Sequence, residues 1–139
     1  LANDAMANLP PVTIFRDSVM DKAGVLWTCI DTKVHILYPL VDVARVYALE
    51  LNEESTTNTI NRYKRAAAHF TESAELFEAA AEATRVGLAI QSVVGHRRGD
   101  AGQYIRPDEL NKVDQERLKN VFRTIVKLLD YTATHFQLA

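Results

Sequence analysis

The sequence predicts a mainly α-helical fold, a bundle of four main helices with a short N-terminal helix and a small β-hairpin at the entry. Three observations predict it. Apolar residues recur every three or four positions over four long stretches, the spacing of helices with a buried face. Five Gly and four Pro in 139 residues are too few for a many-turned all-β sandwich. A hydrophobic content of 47% excludes a disordered chain. At this length one domain is expected over residues 1–139, burying about two-thirds of its extended surface without staples.

Taken in order, Leu1 to Leu9 reads as the end of a helix. Pro10-Pro11 stops it, because a residue before proline is pushed out of the α region. Thr13-Ile14-Phe15 and Val25 to Ile30 are short, β-branched and aromatic, with Asp21-Lys22-Ala23-Gly24 between them as turn chemistry. They form the expected hairpin. From Ile36 the period turns helical. Ile36, Leu40, Val43, Tyr47 and Leu51 make a stripe that Leu37, Val41 and Ala44 widen, so this helix is expected to run through the middle of the bundle. Asn52 to Thr57 is a polar break. The second helix spans Asn58 to Phe70, with Ile60, Tyr63, Ala67 and Phe70 inward and Arg62, Lys64 and Arg65 largely outward. Thr71 is placed to cap a long third helix from Glu72 to about Arg98, whose alanines admit a close neighbour. Gly99-Asp100-Ala101-Gly102 ends it. The last helix runs from about Val113 to Phe136, with Leu118, Phe122, Ile125, Leu129, Thr132 and Phe136 as its seam.

Charge and cysteine content narrow the class. The 16 basic and 18 acidic residues nearly cancel, so no bulk field draws the domain to nucleic acid or to an anionic membrane. Cys29 is the sole cysteine, which excludes an internal disulfide and a Cys-based zinc site and fits a reducing cytoplasm. No apolar run approaches the ~18 residues of a membrane span. The start, Leu1-Ala2-Asn3-Asp4, has no signal-peptide character and opens on Leu, which suggests a piece of a larger protein.

No catalytic constellation stands out. The chain has no G-x-S-x-G, phosphate-binding glycine run, H-E-x-x-H or G-x-G-x-x-G. His35, His69, His96 and His135 are widely separated and read as surface or boundary residues rather than metal ligands. Arg98-Gly99-Asp100 reads as a helix terminus, and Glu72, Glu75, Glu78 and Glu82 as a solvated face. Three features allow more. Asp31 and Lys33 sit where the hairpin hands over to the first long helix, as a capping Asp with a surface Lys or as a binding corner. Arg45 interrupts a very apolar helix and must snorkel, pair with Asp42 or Asp31, or bind an anion. Asn58, Thr59 and Arg62 open the second helix, where free backbone N–H groups, a hydroxyl and a guanidinium suit a phosphate. N-capping by Thr57 or Asn58 explains all of these but the arginine.

The run Asp31-Thr32-Lys33, then Pro39-Leu40-Val41-Asp42-Val43-Ala44-Arg45-Val46-Tyr47-Ala48-Leu49, then Asn58-Thr59-x-x-Arg62 resembles the nucleotidyltransferase substrate-binding domain. Gln91, Tyr104-Ile105-x-Pro107-x-x-Leu110 and Glu116-Arg117-Leu118-Lys119 follow in the family's order, and Pro10-Pro11 with Ile14-Phe15-Arg16 resembles its entry. The likeness covers nearly the whole chain and rests on this ordered succession. After Lys33 the chain departs from it, with Val34-His35-Ile36 where members carry a basic residue and glycines.

The resemblance implies a C-terminal helper domain in bacterial signal-transduction proteins similar to protein-PII uridylyltransferase, often behind cyclic-nucleotide-binding and CBS domains. Its partner would be an upstream nucleotidyltransferase domain of the same chain. Magnesium and a nucleoside triphosphate belong to that parent, and no cofactor is expected in this fragment. The Gly-Ser pair and Asp-x-Asp of the catalytic domain are absent here, so no catalytic or metal-binding residue is assigned. Asp31, Lys33, Arg45, Asn58, Thr59 and Arg62 are the expected substrate-binding residues. An alternative is a regulatory or dimerising bundle that touches no nucleotide; a free-standing enzyme is disfavoured.

Overall fold

The computed structural model describes residues 29–53 and 55–137. The short helix expected over Leu1–Leu9 and the pairing of Thr13–Phe15 with Val25–Ile30 lie outside these residues, apart from Ile30 itself. Within them the chain is the expected helical bundle. Strand β1 (Ile30–Asp31) leads into a wide π-helical turn (Lys33–Leu37) and helix α1 (Tyr38–Glu50). Helix α2 (Thr59–His69) follows, then a 3-10 turn (Thr71–Ser73) and the 25-residue α3 (Ala74–Arg98). Strand β2 (Tyr104–Ile105), a 3-10 turn at Pro107–Glu109 and α4 (Lys112–His135) complete it. The two strands pair antiparallel, Ile30 with Ile105 and Asp31 with Tyr104.

Of the seam expected of α4, Leu118, Phe122, Ile125, Leu129 and Thr132 are all enclosed, while Phe136, just past the helix, is only partly buried. Thr132 fits an apolar seam because its hydroxyl donates to the Leu128 carbonyl at 2.7 Å. That uses its one proton, so the Tyr47 hydroxyl must donate to Thr132 across the core at 2.9 Å. Burial pushes the Tyr47 phenol well above its ordinary range. Its ring meets Phe77 edge-on at 4.9 Å and Phe70 at 5.8 Å, joining α1, α2 and α3.

Two expectations are corrected. The central helix is α3, which lies along both α2 and α4, whereas α1 packs mainly on α2 and the π-helical turn. The small residues of α3 explain this: a Cβ on Gly87 would stand 2.8 Å from the Ile36 side chain, so only glycine lets the turn settle there. Helix α1 buries seven of its 13 residues but leaves Arg45, Leu49 and Glu50 in water. Thr71 is not a side-chain cap. It opens a tighter turn in which the Ser73 N–H donates to the Phe70 carbonyl and the Ala74 N–H to that of Thr71, so backbone does the work of a cap. Gly99 closes α3 in the left-handed region at φ 74°.

The entry is stitched to the far end of α3. The Thr32 amide donates to the Gln103 carbonyl at 2.7 Å, and its buried hydroxyl reaches the carbonyls of Gln103 and Gly102 at 2.9 and 3.2 Å. Gln91 of α3 donates to the same hydroxyl at 3.3 Å. Gly102, at φ 67°, leaves no space for a side chain: a Cβ would stand 2.0 Å from the Gln91 carbonyl oxygen.

Candidate substrate-binding cleft

Arg45 and Arg62, chosen from different helices of the sequence, line one cleft of about 220 Å³. Helix α1 supplies Arg45, Ala48 and Leu49 to it. The helix then ends abruptly. Asn52 takes the left-handed region at φ 52°, its N–H donating to the Leu49 carbonyl, while the Glu53 N–H reaches back to that of Ala48 at 2.8 Å. This reversal adds Asn52 and Glu53 to the wall, and the chain returns through Thr57 to α2 and Arg62.

A buried contact ties the helix that carries Arg62 to the one that carries Arg45. Tyr63, next to Arg62, is fully enclosed, and its hydroxyl donates to the Leu40 carbonyl on α1. Burial drives its phenol far above the ordinary range, so it stays a donor. The Arg62 guanidinium is steadied by its Nε–H donating to the Thr56 carbonyl at 3.2 Å. Among the described residues it makes no ion pair within 4 Å. Arg45 is half exposed, and its Nη1 lies 3.9 Å from the Asp42 carboxylate, at the limit of an ion pair. Such a solvated pair is worth under ~1 kcal/mol and yields readily to a better anion.

The acid in the cleft is already engaged. Ser55 donates to one Glu53 oxygen through both its amide and its hydroxyl, and Arg65 donates to the other at 3.0 Å. These bonds, those of Ser55 first, hold the Glu53 carboxyl below its ordinary range. The cleft therefore keeps cationic character despite an acid in its wall.

The remaining expected residues are divided. Asn58 is the N-cap of α2, its side-chain oxygen accepting from the Asn61 N–H at 3.1 Å, and Thr59 is the first helical residue. Both lie in the chain between Thr57 and Arg62, but neither lines the cleft itself. Asp31 and Lys33 stand apart, since Lys33 is twelve positions before Arg45 on helical chain, roughly 18 Å at 1.5 Å per residue. There Asp31 caps the π-helical turn by accepting from the amides of Lys33 and Val34 at 3.0 and 3.1 Å. Gln103 donates to the same carboxylate. The Asp31 amide donates to Nδ1 of His35 at 3.2 Å, so this ring is neutral; burial lowers its pKa against the pull of the Asp31 charge.

Sequence reasoning missed Leu49, Asn52 and Glu53 as wall residues, having read Asn52 to Thr57 only as a polar break. An Asn just past an apolar run is a known helix-ending signal and would have located the reversal. The model of the family described as "Putative nucleotidyltransferase substrate binding domain" matches residues 1–136. The chain belongs to that family. No curated protein and no solved structure matches it.

A second groove of this substrate-binding domain lies between α3 and α4. It comprises adjoining hollows of about 310 and 90 Å³, with Ala83, Val86, Val93, Leu110 and Val121 among their lining. Its rim carries the pairs Arg85–Glu82 and Arg117–Asp114. Among the described residues no three His, Cys, Asp or Glu gather into a metal-holding group, and no helix is long and apolar enough to cross a membrane.

Proposed function

We propose that this domain forms one wall of a nucleotidyl-transfer site whose catalytic groups lie on another domain, and that its cleft holds the anionic part of the substrate. The single observation behind the reading is the convergence of Arg45 and Arg62 on one solvent-open cleft, with only a loose acid beside the first. In metal-assisted transfer of a nucleotidyl group, positioning and charge neutralisation supply much of the acceleration, and a neighbouring domain can share that work. Magnesium would be held by the catalytic partner, and this chain contributes charge and orientation. Asn58 and Thr59 fix the start of α2 and so orient Arg62, while Asp31 and Lys33 act at a separate corner, on the acceptor or the partner domain. A uridylyltransferase-like role in signal transduction is the specific form of this reading.

The test is the double variant Arg45→Ala/Arg62→Ala. Tripolyphosphate binding to this chain should fall more than tenfold, and nucleotidyl transfer by the parent protein should fall with it, at an unchanged melting temperature. Unaltered binding and transfer in a folded double variant rules the assignment out.

The α3–α4 groove favours a second reading, a regulatory or dimerising bundle, because it is apolar and rimmed by charges that neutralise each other. Val86→Glu would then change the oligomeric state or sever sensory control, while leaving tripolyphosphate binding intact.

A further inference from the structure

We infer that Leu49 and Asn52 form a base-recognition end of the cleft, so that its ligand is a nucleotide lying with phosphates at Arg45 and Arg62 and its base against the C-terminal end of α1. This rests on the reading of the cleft as a substrate wall and adds what the arginines alone do not give, a discriminating surface.

The lining of the cleft is mixed in a way that a bare anion does not use. Leu49 is 60% exposed on the cleft side of a helix whose other large apolar residues in this half, Val46 and Tyr47, are buried. One exposed leucine is ordinary; this one shares a 220 Å³ hollow with two guanidinium groups. Next in the wall is Asn52, whose amide supplies both donors and an acceptor, the groups that distinguish one base edge from another. Its backbone is fixed at φ 52° by the hydrogen bonds that end α1, which makes it a rigid mount rather than a loop residue. Glu53, the acid in the wall, already accepts three hydrogen bonds from Ser55 and Arg65, which leaves Asn52 the less committed polar group for a base edge. Two cations, an apolar plate and an amide together match a molecule with an anionic tail, flat apolar faces and a polar edge.

The experiment is a calorimetric titration of this chain with tripolyphosphate and, separately, with ATP, CTP, GTP and UTP, all with magnesium. At least one nucleotide should bind about tenfold tighter than tripolyphosphate. Leu49→Ala, at an exposed position, should weaken that nucleotide about fivefold and leave tripolyphosphate unchanged. Asn52→Gly suits the left-handed backbone and keeps the fold while deleting the amide; it should bring the four nucleotides within about twofold of one another. If tripolyphosphate binds but no nucleotide binds tighter, or neither variant alters nucleotide preference, the base-recognition assignment is overturned and the anion wall stands. If tripolyphosphate does not bind, both fall together.

Discussion

The corner around Asp31 and Lys33, the lone Arg45 of an apolar helix and the Asn58–Arg62 segment were three separate candidates in the sequence, and the structure joins the two arginines in one cleft while the corner stands apart. Corner and cleft differ in what their polar atoms are already doing. At the corner, Asp31 accepts from two amides and from Gln103, and Thr32 is held by the 102–103 backbone and by Gln91. Little hydrogen-bonding capacity of Asp31 and Thr32 themselves remains for a ligand. In the cleft, Arg62 gives one N–H to a carbonyl and Arg45 stands at the margin of a solvated ion pair. Polar side chains serve architecture in one place and leave capacity unspent in the other, and the hydrogen bonds already committed separate the two.

That contrast breaks most visibly at the corner. Gly102→Ala forces a side chain into the Gln91 carbonyl at a positive φ, and should cost about 3 kcal/mol or more in urea unfolding. Tripolyphosphate affinity of the remaining folded protein should hold. Thr32→Val keeps the volume but takes the hydroxyl from the Gly102 carbonyl and the Gln91 amide, an expected loss of about 2 kcal/mol by the same measurement. Tyr63→Phe acts on the contact between the two arginine-bearing helices: losing the bond to Leu40 should cost about 1 kcal/mol, and by loosening α2 on α1 it should also weaken tripolyphosphate binding. Arg45→Ala should move stability by no more than about 0.5 kcal/mol while still reducing binding. If Arg45→Ala is the costlier change and leaves binding untouched, the two regions have been assigned the wrong way round.

The smallest effect is a pH dependence. His35 is held neutral, with its pKa below the ordinary 6.5. Between its folded pKa and 6.5 the unfolded chain binds more protons, so stability rises with pH through that window. It is fully present above about 6.5 and lost as pH falls through the folded value. His35→Asn should flatten this part of a stability–pH curve while leaving the carboxylate-driven part at lower pH.

The four helices were legible because their apolar spacing is local: every expected span lies within about two residues of the observed helix and its flanking turns. The pairing of Ile30 with Ile105 was not. Two strands of two residues each, far apart in sequence, leave no periodic trace, and what fixes them is the stitch through Thr32 that forms only after folding. For the site, Arg45 and Arg62 were legible as charges that a helical stripe does not account for. That they share a cleft depends on the reversal at Asn52 and on the buried Tyr63, both tertiary facts. Leu49 was hidden by its chemistry, since a leucine in an apolar helix reads as core until its exposure is known.

The stitch through Thr32 also sets how the domain would feel its neighbours. A tug on the backbone entering at Ile30 is taken up as shear across a two-residue strand pair and handed through Gln91 into the long α3. Helix α3 is the beam on which α2 rests, and α2 carries Arg62. The entry is thus tied to the helix that packs along the Arg62-bearing α2, while α1 with Arg45 follows it directly through the π-helical turn.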